Sequence, residues 1–351
     1  MPIERFTADN FRCLEHVSFE PDPQYNLIYG ANASGKTSLL EALAYLGRAK
    51  SFRGAPVTSL VRHGADSFVL HGRVAHDGVQ HSLGMRNGRE GLTVRIDGDP
   101  GGGAAEAAEI LPVQVIDPDI HDLVSGGPEQ RRRFLDGVAF HVEHGFLALW
   151  RRFRRALKQR NAALKAGAGV DAWTSEFLAR ATELDAARRH VLGISEPALE
   201  AQASELLGGE VRFEYRPGWS VDLSLEEAVR GSLERDQQQG STQVGPHRGD
   251  IRLVYDDRQA KRLVSRGQQK LLGCSMILAA TEIVQTALER PLLLLVDDPA
   301  AELDRDSLGR LTAGIAGLGS QVVVTSLEAD TLRLPADPAV FHVEHGVLSP
   351  A

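Results

Sequence analysis

The stretch Gly30-Ala-Asn-Ala-Ser-Gly-Lys-Thr-Ser38 decides the fold class of this sequence. It matches the phosphate-loop pattern G-x-x-x-x-G-K-[S/T], follows the apolar run Asn26 to Tyr29 and precedes a run of helical character. Its glycines allow backbone N–H groups to converge on a phosphate, and the N-terminus of the next helix adds partial positive charge there. A glycine-rich turn without a ligand is the alternative, but the complete pattern in this context favours a nucleoside triphosphate site.

Every residue of this loop is a candidate for nucleotide contact: Gly30, Ala31, Asn32, Ala33, Ser34, Gly35, Lys36, Thr37 and Ser38. Lys36 is the catalytic candidate, because its ammonium can reach the β- and γ-phosphates, and the Thr37 hydroxyl can bind Mg²⁺.

A second segment supplies carboxylates. The apolar run Pro291 to Val296 ends in Asp297 and Asp298, which is typical of a buried parallel strand that delivers acids to its C-terminal edge. We expect Asp297 to hold Mg²⁺ opposite Thr37, and Asp298 to orient or activate the attacking water.

Composition limits the class of protein. The chain has 351 residues, is 42% hydrophobic and 25% charged, and carries a net charge of −8, as expected of an ordinary globular protein rather than one coated with basic surface. Its two cysteines match no metal or redox spacing, which indicates a reducing cytoplasm. The N-terminus resembles no leader and the longest aliphatic run, Leu292 to Val296, is too short to span a bilayer, so secretion and membrane insertion are disfavoured.

Positive charge is concentrated locally. Between residues 128 and 165 there are ten Lys or Arg, including Arg131 and Arg160, against three acids. Apolar residues at helical spacing share this segment, so it predicts an amphipathic helix with a basic face. The candidates for DNA contact are Arg151, Arg154, Arg155 and Lys158. The alternative is an ordinary solvated helix face.

The order of patterns predicts an α/β architecture with an insertion. Residues 67 to 96 indicate an antiparallel β-meander, and Leu111 to Ile116 a buried strand. From about residue 123 the period becomes helical, with a second helix from Ser175 that Gly193 and Pro197 interrupt, and residues 237 to 241 predict a solvated linker. We therefore assign residues 1–122 and 238–351 to a nucleotide-binding lobe with a mixed sheet, and residues 123–237 to an inserted, mainly helical arm lobe.

One hexapeptide, Phe-His-Val-Glu-His-Gly, occurs at residues 140 to 145 and again at 341 to 346. The two copies fall in different predicted structures, so we interpret the match as coincidence. Either copy could supply two histidine ligands, but the absence of a third ligand in sequence disfavours a metal site.

Two further segments narrow the class of ATPase. The run Val264 to Lys270 opens a predicted helix, where the Ser265 hydroxyl and the Gly267 amide could face an incoming negative charge. Glu302-Leu303-Asp304 follows the two aspartates.

Taken together, these segments resemble the ABC-type ATPases, specifically their SMC-like branch and within it the RecF family of bacterial recombination-repair proteins. The resemblance rests on Asn10-Phe11-Arg12, Gly30 to Ser38, Ser51-Phe52-Arg53, Gly245-Pro246-His247-Arg248, Ser265 to Lys270, Asp297-Asp298 and Glu302-Leu303-Asp304. It covers essentially the whole chain and implies an ABC-type ATPase head with an inserted helical arm.

The resemblance also implies ATP as the nucleotide and a site shared between two copies of the chain. Ser265, Gly267 and Gln268, together with Asp304, would contact the nucleotide held by the other copy's phosphate loop. Gln114 is similar to the family glutamine that senses the γ-phosphate.

The implied function is an ATP-gated homodimer clamp that binds duplex DNA and single-strand/double-strand junctions in gaps. It would act in the cytoplasm in DNA replication, DNA repair and the SOS response to DNA damage, with RecO and RecR, to promote loading of RecA. The chain departs from the pattern of most ABC-type ATPases at two places. Asp298 stands where most members have Glu, and Ser326-Leu327-Glu328 stand where most have a histidine, called the switch His. Both departures imply a weak ATPase used as a conformational switch.

Two other functions stay open at this point. One is the ATP-hydrolysing subunit of an ABC membrane transporter. Such subunits share the phosphate loop, the segment Ser265 to Lys270 and the two aspartates, but not the helical insertion. The other is a nucleotide-dependent scaffold, in which dimerisation matters and hydrolysis does not.

Overall fold

A computed structural model of the chain describes residues 3–76, 78–301, 303–332, 334 and 336–351. Two compact units are present: unit 1 comprises residues 1–120 and 289–351, and unit 2 comprises residues 121–288. Residues 238–288, which the sequence analysis assigns to the nucleotide-binding lobe, therefore pack within unit 2. The two units are defined by packing, whereas the two lobes are defined by function, and the lobe boundaries remain a prediction.

The strands are β1 Arg5–Phe11, β2 Leu14–Phe19, β3 Tyr25–Tyr29, β4 Ser67–His76, β5 Val79–Gly88, β6 Thr93–Ile96, β7 Val113–Ile116, β8 Val211–Arg216, β9 Asp250–Tyr255, β10 Arg258–Gln259, β11 Leu293–Val296, β12 Gln321–Ser326, β13 Ala339–Glu344 and β14 Val347–Pro350. The α-helices are α1 Lys36–Arg48, α2 Val57–Leu60, α3 Ala104–Ile110, α4 Asp122–Ser125, α5 Pro128–Val142, α6 Phe146–Ala166, α7 Val170–Leu207, α8 Leu225–Gly231, α9 Leu233–Gln239, α10 Ala260–Leu263, α11 Arg266–Leu288 and α12 Arg305–Gly317.

Unit 1 contains the mixed sheet and the meander that the sequence predicts. The mixed sheet has the order β14-β13-β3-β12-β11-β7, and all its neighbours are parallel except β13 and β14. The second sheet is antiparallel, with the order β2-β1-β4-β5-β6. Helix α1 contacts strands of both sheets, and its Leu39, Leu40, Leu43 and Leu46 are at most 1% exposed. The helix that follows the phosphate loop is thus anchored in the apolar core.

Unit 2 is mainly helical, and α7 corrects one prediction. Gly193 and Pro197 are predicted to interrupt a helix, yet both lie within α7, a single helix of 38 residues. Proline removes one backbone hydrogen bond from a helix and crowds the preceding turn. Apolar packing on both sides of the proline, with Val191 and Leu199 at most 1% exposed, outweighs that local cost.

A buried ion pair joins α6 to α9, and the extent of α9 corrects another prediction. Arg160 and Asp236 are both fully buried, and the Arg160 Nη1 donates to Asp236 Oδ2 at 2.8 Å and to Thr242 Oγ1 at 2.6 Å. Residues 237 to 239 belong to α9, so the predicted linker at 237 to 241 is wrong. Arg131 is likewise buried and donates to Asp250. Part of the local basic excess is therefore buried and paired with carboxylates of unit 2, because a buried charge without a partner is strongly destabilising.

Helix α11 is the one helix of the described chain that is long and apolar enough to cross a membrane by length and composition. Its apolar residues are interrupted by polar ones, so a prediction based on aliphatic runs alone misses it. Within the protein 67% of its apolar window is buried, and it packs against α5 and α7.

The His247 ring lies in the interior of unit 2. Its Nε2 donates to the Thr242 carbonyl oxygen at 2.8 Å, and the ring lies beside aromatic side chains. Burial, together with the positive charges of Arg248 and Arg132, lowers the pKa of His247 from 6.5 to about 4, although the Thr242 hydrogen bond and Asp236 act in the opposite direction. The ring is therefore neutral at pH 7.

This depressed pKa predicts acid sensitivity. Because protonation is harder in the folded state, the neutral ring contributes stability that is fully present above pH 6.5 and is lost as pH falls towards 4, by up to about 3 kcal/mol. Urea unfolding midpoints at pH 7, 5.5 and 4.5 measure this loss. The variant His247→Gln should lose less stability over that range than wild type, whereas the exposed-site control His144→Gln should follow wild type. Equal pH dependence in both variants would contradict the assignment.

Candidate nucleotide-binding site

The phosphate loop connects β3 to α1 and has the backbone of a phosphate cradle. Gly30 and Gly35 have φ values of +155° and +118°, which glycine adopts without strain. Ala33 between them also has a positive φ, +63°. The Ser34 Oγ is buried and has no hydrogen-bond partner among the described residues. A cavity of about 590 Å³ opens at the loop, large enough for a nucleotide.

The cavity is lined by side chains from four segments of unit 1. They are Arg12, Cys13, Asn32, Ala33, Ser34, Gly35, Lys36, Thr37, Ser38, Arg53, Ser59, Val61, His63, Asp297 and Asp298. The structure therefore brings the predicted loop residues from 32 to 38 together with both predicted aspartates.

Lys36 lies over the loop rather than in solvent. Its Nζ donates to the carbonyl oxygens of Gly30 at 2.6 Å and Ala31 at 3.0 Å. Burial lowers the pKa of Lys36 below its ordinary value, while the nearby charges of Asp298 and Asp297 act to raise it. The ammonium is thus held by two weak acceptors, which phosphate oxygens can replace with stronger charge-assisted bonds.

Thr37 and Asp297, predicted to share a metal, are in direct contact. The Thr37 hydroxyl donates to Asp297 Oδ1 at 3.0 Å, and Asp297 is only 4% exposed. One hydroxyl and one carboxylate are the protein ligands that Mg²⁺ takes when phosphates and waters complete its shell. Among the described residues no group of three or more His, Cys, Asp or Glu could hold a metal ion, and Mg²⁺ binding by Thr37 and Asp297 stays a prediction.

Thr325 is a site residue that the sequence analysis missed. Its hydroxyl donates to Asp297 Oδ1 at 2.8 Å and accepts the backbone N–H of Asp298 at 2.9 Å. Asp298 has a φ of +42°, a left-handed conformation that costs energy in a non-glycine residue. The Thr325 hydroxyl therefore holds the side chain of Asp297 and the backbone of Asp298. The signal was a hydroxyl residue directly after the apolar run Val322 to Val324 of β12.

Gln114 does not line the cavity. It is 9% exposed within β7, where its Oε1 accepts a hydrogen bond from Arg48 at 3.2 Å. The register pairs Ile116 with Val296, so Asp117 rather than Gln114 follows β7 at the level of Asp297. Burial and the charge of Asp119 raise the pKa of Asp117 to about 6. An acid closing an apolar run, as at Asp297, was the signal that sequence reasoning overlooked.

Comparison with known proteins identifies the family of this chain. The family model described as RecF/RecN/SMC N terminal domain matches residues 2–348. The DNA replication and repair protein RecF of Pseudomonas paraeruginosa is 38% identical over an alignment of 360 residues, which covers 99% of this chain and 98% of that protein. The chain belongs to the RecF family. The RecF of Pseudomonas fluorescens is similar, with 39% identity over 357 residues and coverage of 99% and 97%.

Solved structures agree on the fold. The recombination mediator protein RecF-ATPrS in the RecFOR pathway has a TM-score of 0.89 at 24% identity, covering 99% of this chain and 98% of that one. An Smc head bound to the C-winged helix domain of ScpA has a TM-score of 0.62 at 17% identity, with coverage of 100% and 97%. These likenesses confirm the predicted fold class, an ABC-type ATPase head with a mixed sheet, a meander and a helical arm.

The segment Ser265 to Lys270 lies in unit 2, at the start of α11. The backbone N–H of Gln268 donates to Ser265 Oγ at 3.3 Å, and that of Ser265 donates to Gln268 Oε1 at 2.9 Å. This reciprocal pair is a capping box. A Cβ on Gly267 would have no atom of the described chain within 4 Å. The helix N-terminus therefore presents an open surface, and its contact with a second copy's nucleotide stays a prediction.

Asp304 is also a helix cap. Its two carboxylate oxygens accept hydrogen bonds from the Ser307 N–H at 2.9 Å and the Ser307 hydroxyl at 2.8 Å. These bonds lower the pKa of Asp304, so the residue is anionic at neutral pH. Glu302, quoted with it in the sequence analysis, lies outside the described residues. A nucleotide contact by Asp304 remains a prediction.

The predicted DNA-contact residues lie on α6 of unit 2. Arg151, Arg154, Arg155 and Lys158 are all exposed, and none has an ion-pair partner within the part of the chain that the structure describes. The Arg154 guanidinium lies 5.2 Å from the centroid of the Trp150 ring. These four cations differ from Arg131 and Arg160, which are buried and form ion pairs with Asp250 and Asp236.

Arg12 and Arg53 line the cavity, although the sequence analysis gave them no role. Arg12 donates from Nε and Nη2 to the two oxygens of the fully buried Glu41 at 2.8 and 3.0 Å. Glu41 also accepts from the Ser51 hydroxyl. One carboxylate of α1 therefore orients Arg12 and anchors the segment that carries Arg53.

Proposed function

We propose that this chain is an ATP-dependent DNA-binding protein of recombinational DNA repair. ATP and Mg²⁺ close a homodimer on duplex DNA at the single-strand/double-strand junctions of gaps, and slow hydrolysis reopens it. The observation that carries this proposal is the hydrogen bond between Thr37 and Asp297. It joins the phosphate loop to the carboxylate strand in a chain of the RecF family.

The residues of unit 1 account for binding and hydrolysis. Loop amides and Lys36 bind the phosphates, and Thr37 and Asp297 hold Mg²⁺, which neutralises charge on the phosphate oxygens. Asp298 orients the attacking water. Because its side chain is one methylene shorter than Glu, its carboxylate stands farther from that water, which agrees with slow turnover and a switching role.

Dimer closure needs residues outside the loop. Ser265, Gly267 and Gln268 of one copy, with Asp304, meet the nucleotide bound to the other copy. The capping box supports this arrangement, because it holds Ser265 at a helix N-terminus where backbone N–H groups attract anions.

In the cell, the proposed clamp works in the cytoplasm with RecO and RecR to promote loading of RecA. The RecF-ATPrS neighbour is described as a recombination mediator in the RecFOR pathway, which agrees with this assignment. Family membership gives no support to the alternative of a transporter subunit. The scaffold alternative differs only in that hydrolysis is dispensable.

DNA contact is tested on the basic face of α6. Replacing Arg151, Arg154, Arg155 and Lys158 with Ala should weaken binding to gapped duplex by about 100-fold at 0.1 M salt and flatten the salt dependence, because contacts to phosphates release counterions. Fluorescence anisotropy over a salt series measures both quantities.

The matched control removes four other exposed cations of unit 2, each of which has a carboxylate neighbour: Arg212, Arg216, Arg230 and Arg252. That variant has the same net charge and should bind nearly as wild type does. If the two variants lose affinity equally, general charge rather than the α6 face carries DNA binding.

A further inference from the structure

The C-terminal hairpin β13–β14 lies beside the phosphate loop. It contains the second copy of the repeated hexapeptide, to which the sequence analysis gives no role. Strand β13 is parallel to β3, and His342 pairs with Tyr29, the residue before Gly30. The rings of these two residues are 4.9 Å apart between centroids. The end of β13 is therefore fixed where the loop begins.

Three contacts join the hairpin to the loop itself. The backbone N–H of Gly346 donates to the Ser34 carbonyl oxygen at 2.7 Å. A Cβ on Gly30 would stand 2.3 Å from the Val343 carbonyl oxygen, and a Cβ on Gly35 would stand 3.3 Å from the Gly346 Cα. A side chain at Gly30 would therefore clash with the hairpin, and one at Gly35 would be crowded by it.

The turn of the hairpin is itself constrained. His345 and Gly346 have φ values of +49° and +78°, the left-handed pair that a tight two-residue hairpin turn needs. A Cβ on Gly346 would stand 2.7 Å from the Cys13 carbonyl oxygen. Gly346 is therefore packed between the loop on one side and the backbone at Cys13 on the other.

We propose that the turn at His345 and Gly346 is a positioning element for nucleotide binding. It holds Ser34 and the two loop glycines so that the loop amides converge before the phosphates arrive, and a preorganised loop binds more tightly because less order is imposed on binding. The inference rests on the proposed function of the loop as an ATP site.

The test is Gly346→Asn, with Gly78→Asn as its control. Gly78 also sits in a tight hairpin of unit 1, with a φ of +74°, and no described atom lies within 4 Å of its Cβ position. Asparagine tolerates the left-handed conformation at both positions. The two variants therefore differ mainly in the contact with Cys13 and in the displacement of the Ser34 bond.

ATP affinity is measured by titration with Mg²⁺ present, and stability by thermal unfolding of the same samples. Gly346→Asn should bind ATP at least about tenfold more weakly than wild type, and Gly78→Asn within about twofold of it. A purely structural role would lower the unfolding midpoint of Gly346→Asn and leave its affinity unchanged, which would overturn the inference. Wild-type protein that does not bind ATP would instead overturn the proposed function.

Hydrogen exchange of the wild-type protein gives a second test that needs no variant. If the turn stabilises the ATP-binding conformation of the loop, bound ATP must stabilise the turn by the same factor. Exchange at the Gly346 amide should slow at least about tenfold with saturating ATP, while the β4–β5 hairpin stays unchanged. No change at Gly346, or equal slowing in both hairpins, would overturn the inference.

Discussion

Replacing Lys36 with Ala is expected to weaken ATP binding by at least about 100-fold. The ammonium already lies over the loop, on the carbonyl oxygens of Gly30 and Ala31, and ATP would exchange these for bonds to two phosphates. Charge-assisted hydrogen bonds contribute about 1.5–3 kcal/mol each, and two of them correspond to at least a hundredfold in affinity. Titration calorimetry with ATP and Mg²⁺ measures the loss.

Lys50→Ala is the control for Lys36→Ala. Lys50 is exposed two residues beyond the end of α1, so its replacement removes the same charge near the same helix without touching the loop. It should bind ATP as wild type does. Because dimer closure depends on bound nucleotide, Lys36→Ala should also be monomeric with ATP. ATP affinity within about threefold of wild type in folded Lys36→Ala would contradict the assignment of the loop.

Ser265→Ala is expected to leave ATP binding to the monomer intact and to weaken the ATP-dependent dimer by about 100-fold. A symmetric dimer contains two shared sites, so one substitution removes two contacts. At about 1.5 kcal/mol per contact the combined loss is about 3 kcal/mol. Sedimentation velocity across a concentration series with ATP measures the dimer, and titration at low protein concentration measures ATP affinity.

This substitution also removes a helix cap, at a cost of about 1 kcal/mol in stability. Ser224→Ala is the matched control, because Ser224 forms a capping box with Glu227 at the start of α8 and is likewise exposed. Ser224→Ala should be destabilised to a similar degree and dimerise normally. Equal loss of ATP binding in Ser265→Ala and Lys36→Ala, or normal dimerisation of Ser265→Ala, would contradict a site shared between copies.

The sequence predicts most of unit 1 because its elements have strong local signals. The phosphate loop has a fixed pattern, and β11 is an apolar run that two aspartates close. Residues 297 and 298 therefore lie where the pattern places them. Thr325 escaped prediction because its role depends on which strand lies beside β11, and strand order is not a local property.

Unit 2 was harder to predict because long-range packing overrides local signals there. Pro197 is a helix breaker by propensity, and packing on α7 retains it within the helix. Asp236 directly precedes the polar stretch that suggests a linker, and its carboxylate is the partner of the buried Arg160. The contact of Gln114 with the γ-phosphate stays a prediction, and the register of β7 places Asp117, not Gln114, at the level of Asp297.

In the proposed clamp, ATP bound between two copies of the chain holds the dimer together on DNA. Mass photometry tests it most directly, with ATP and Mg²⁺, with ADP and Mg²⁺, and without nucleotide, each in the presence and absence of gapped duplex. We predict dimers with ATP alone, more dimers when gapped duplex is also present, and monomers with ADP or no nucleotide. A protein that stays monomeric under all six conditions, or dimerises equally in all of them, would contradict the account.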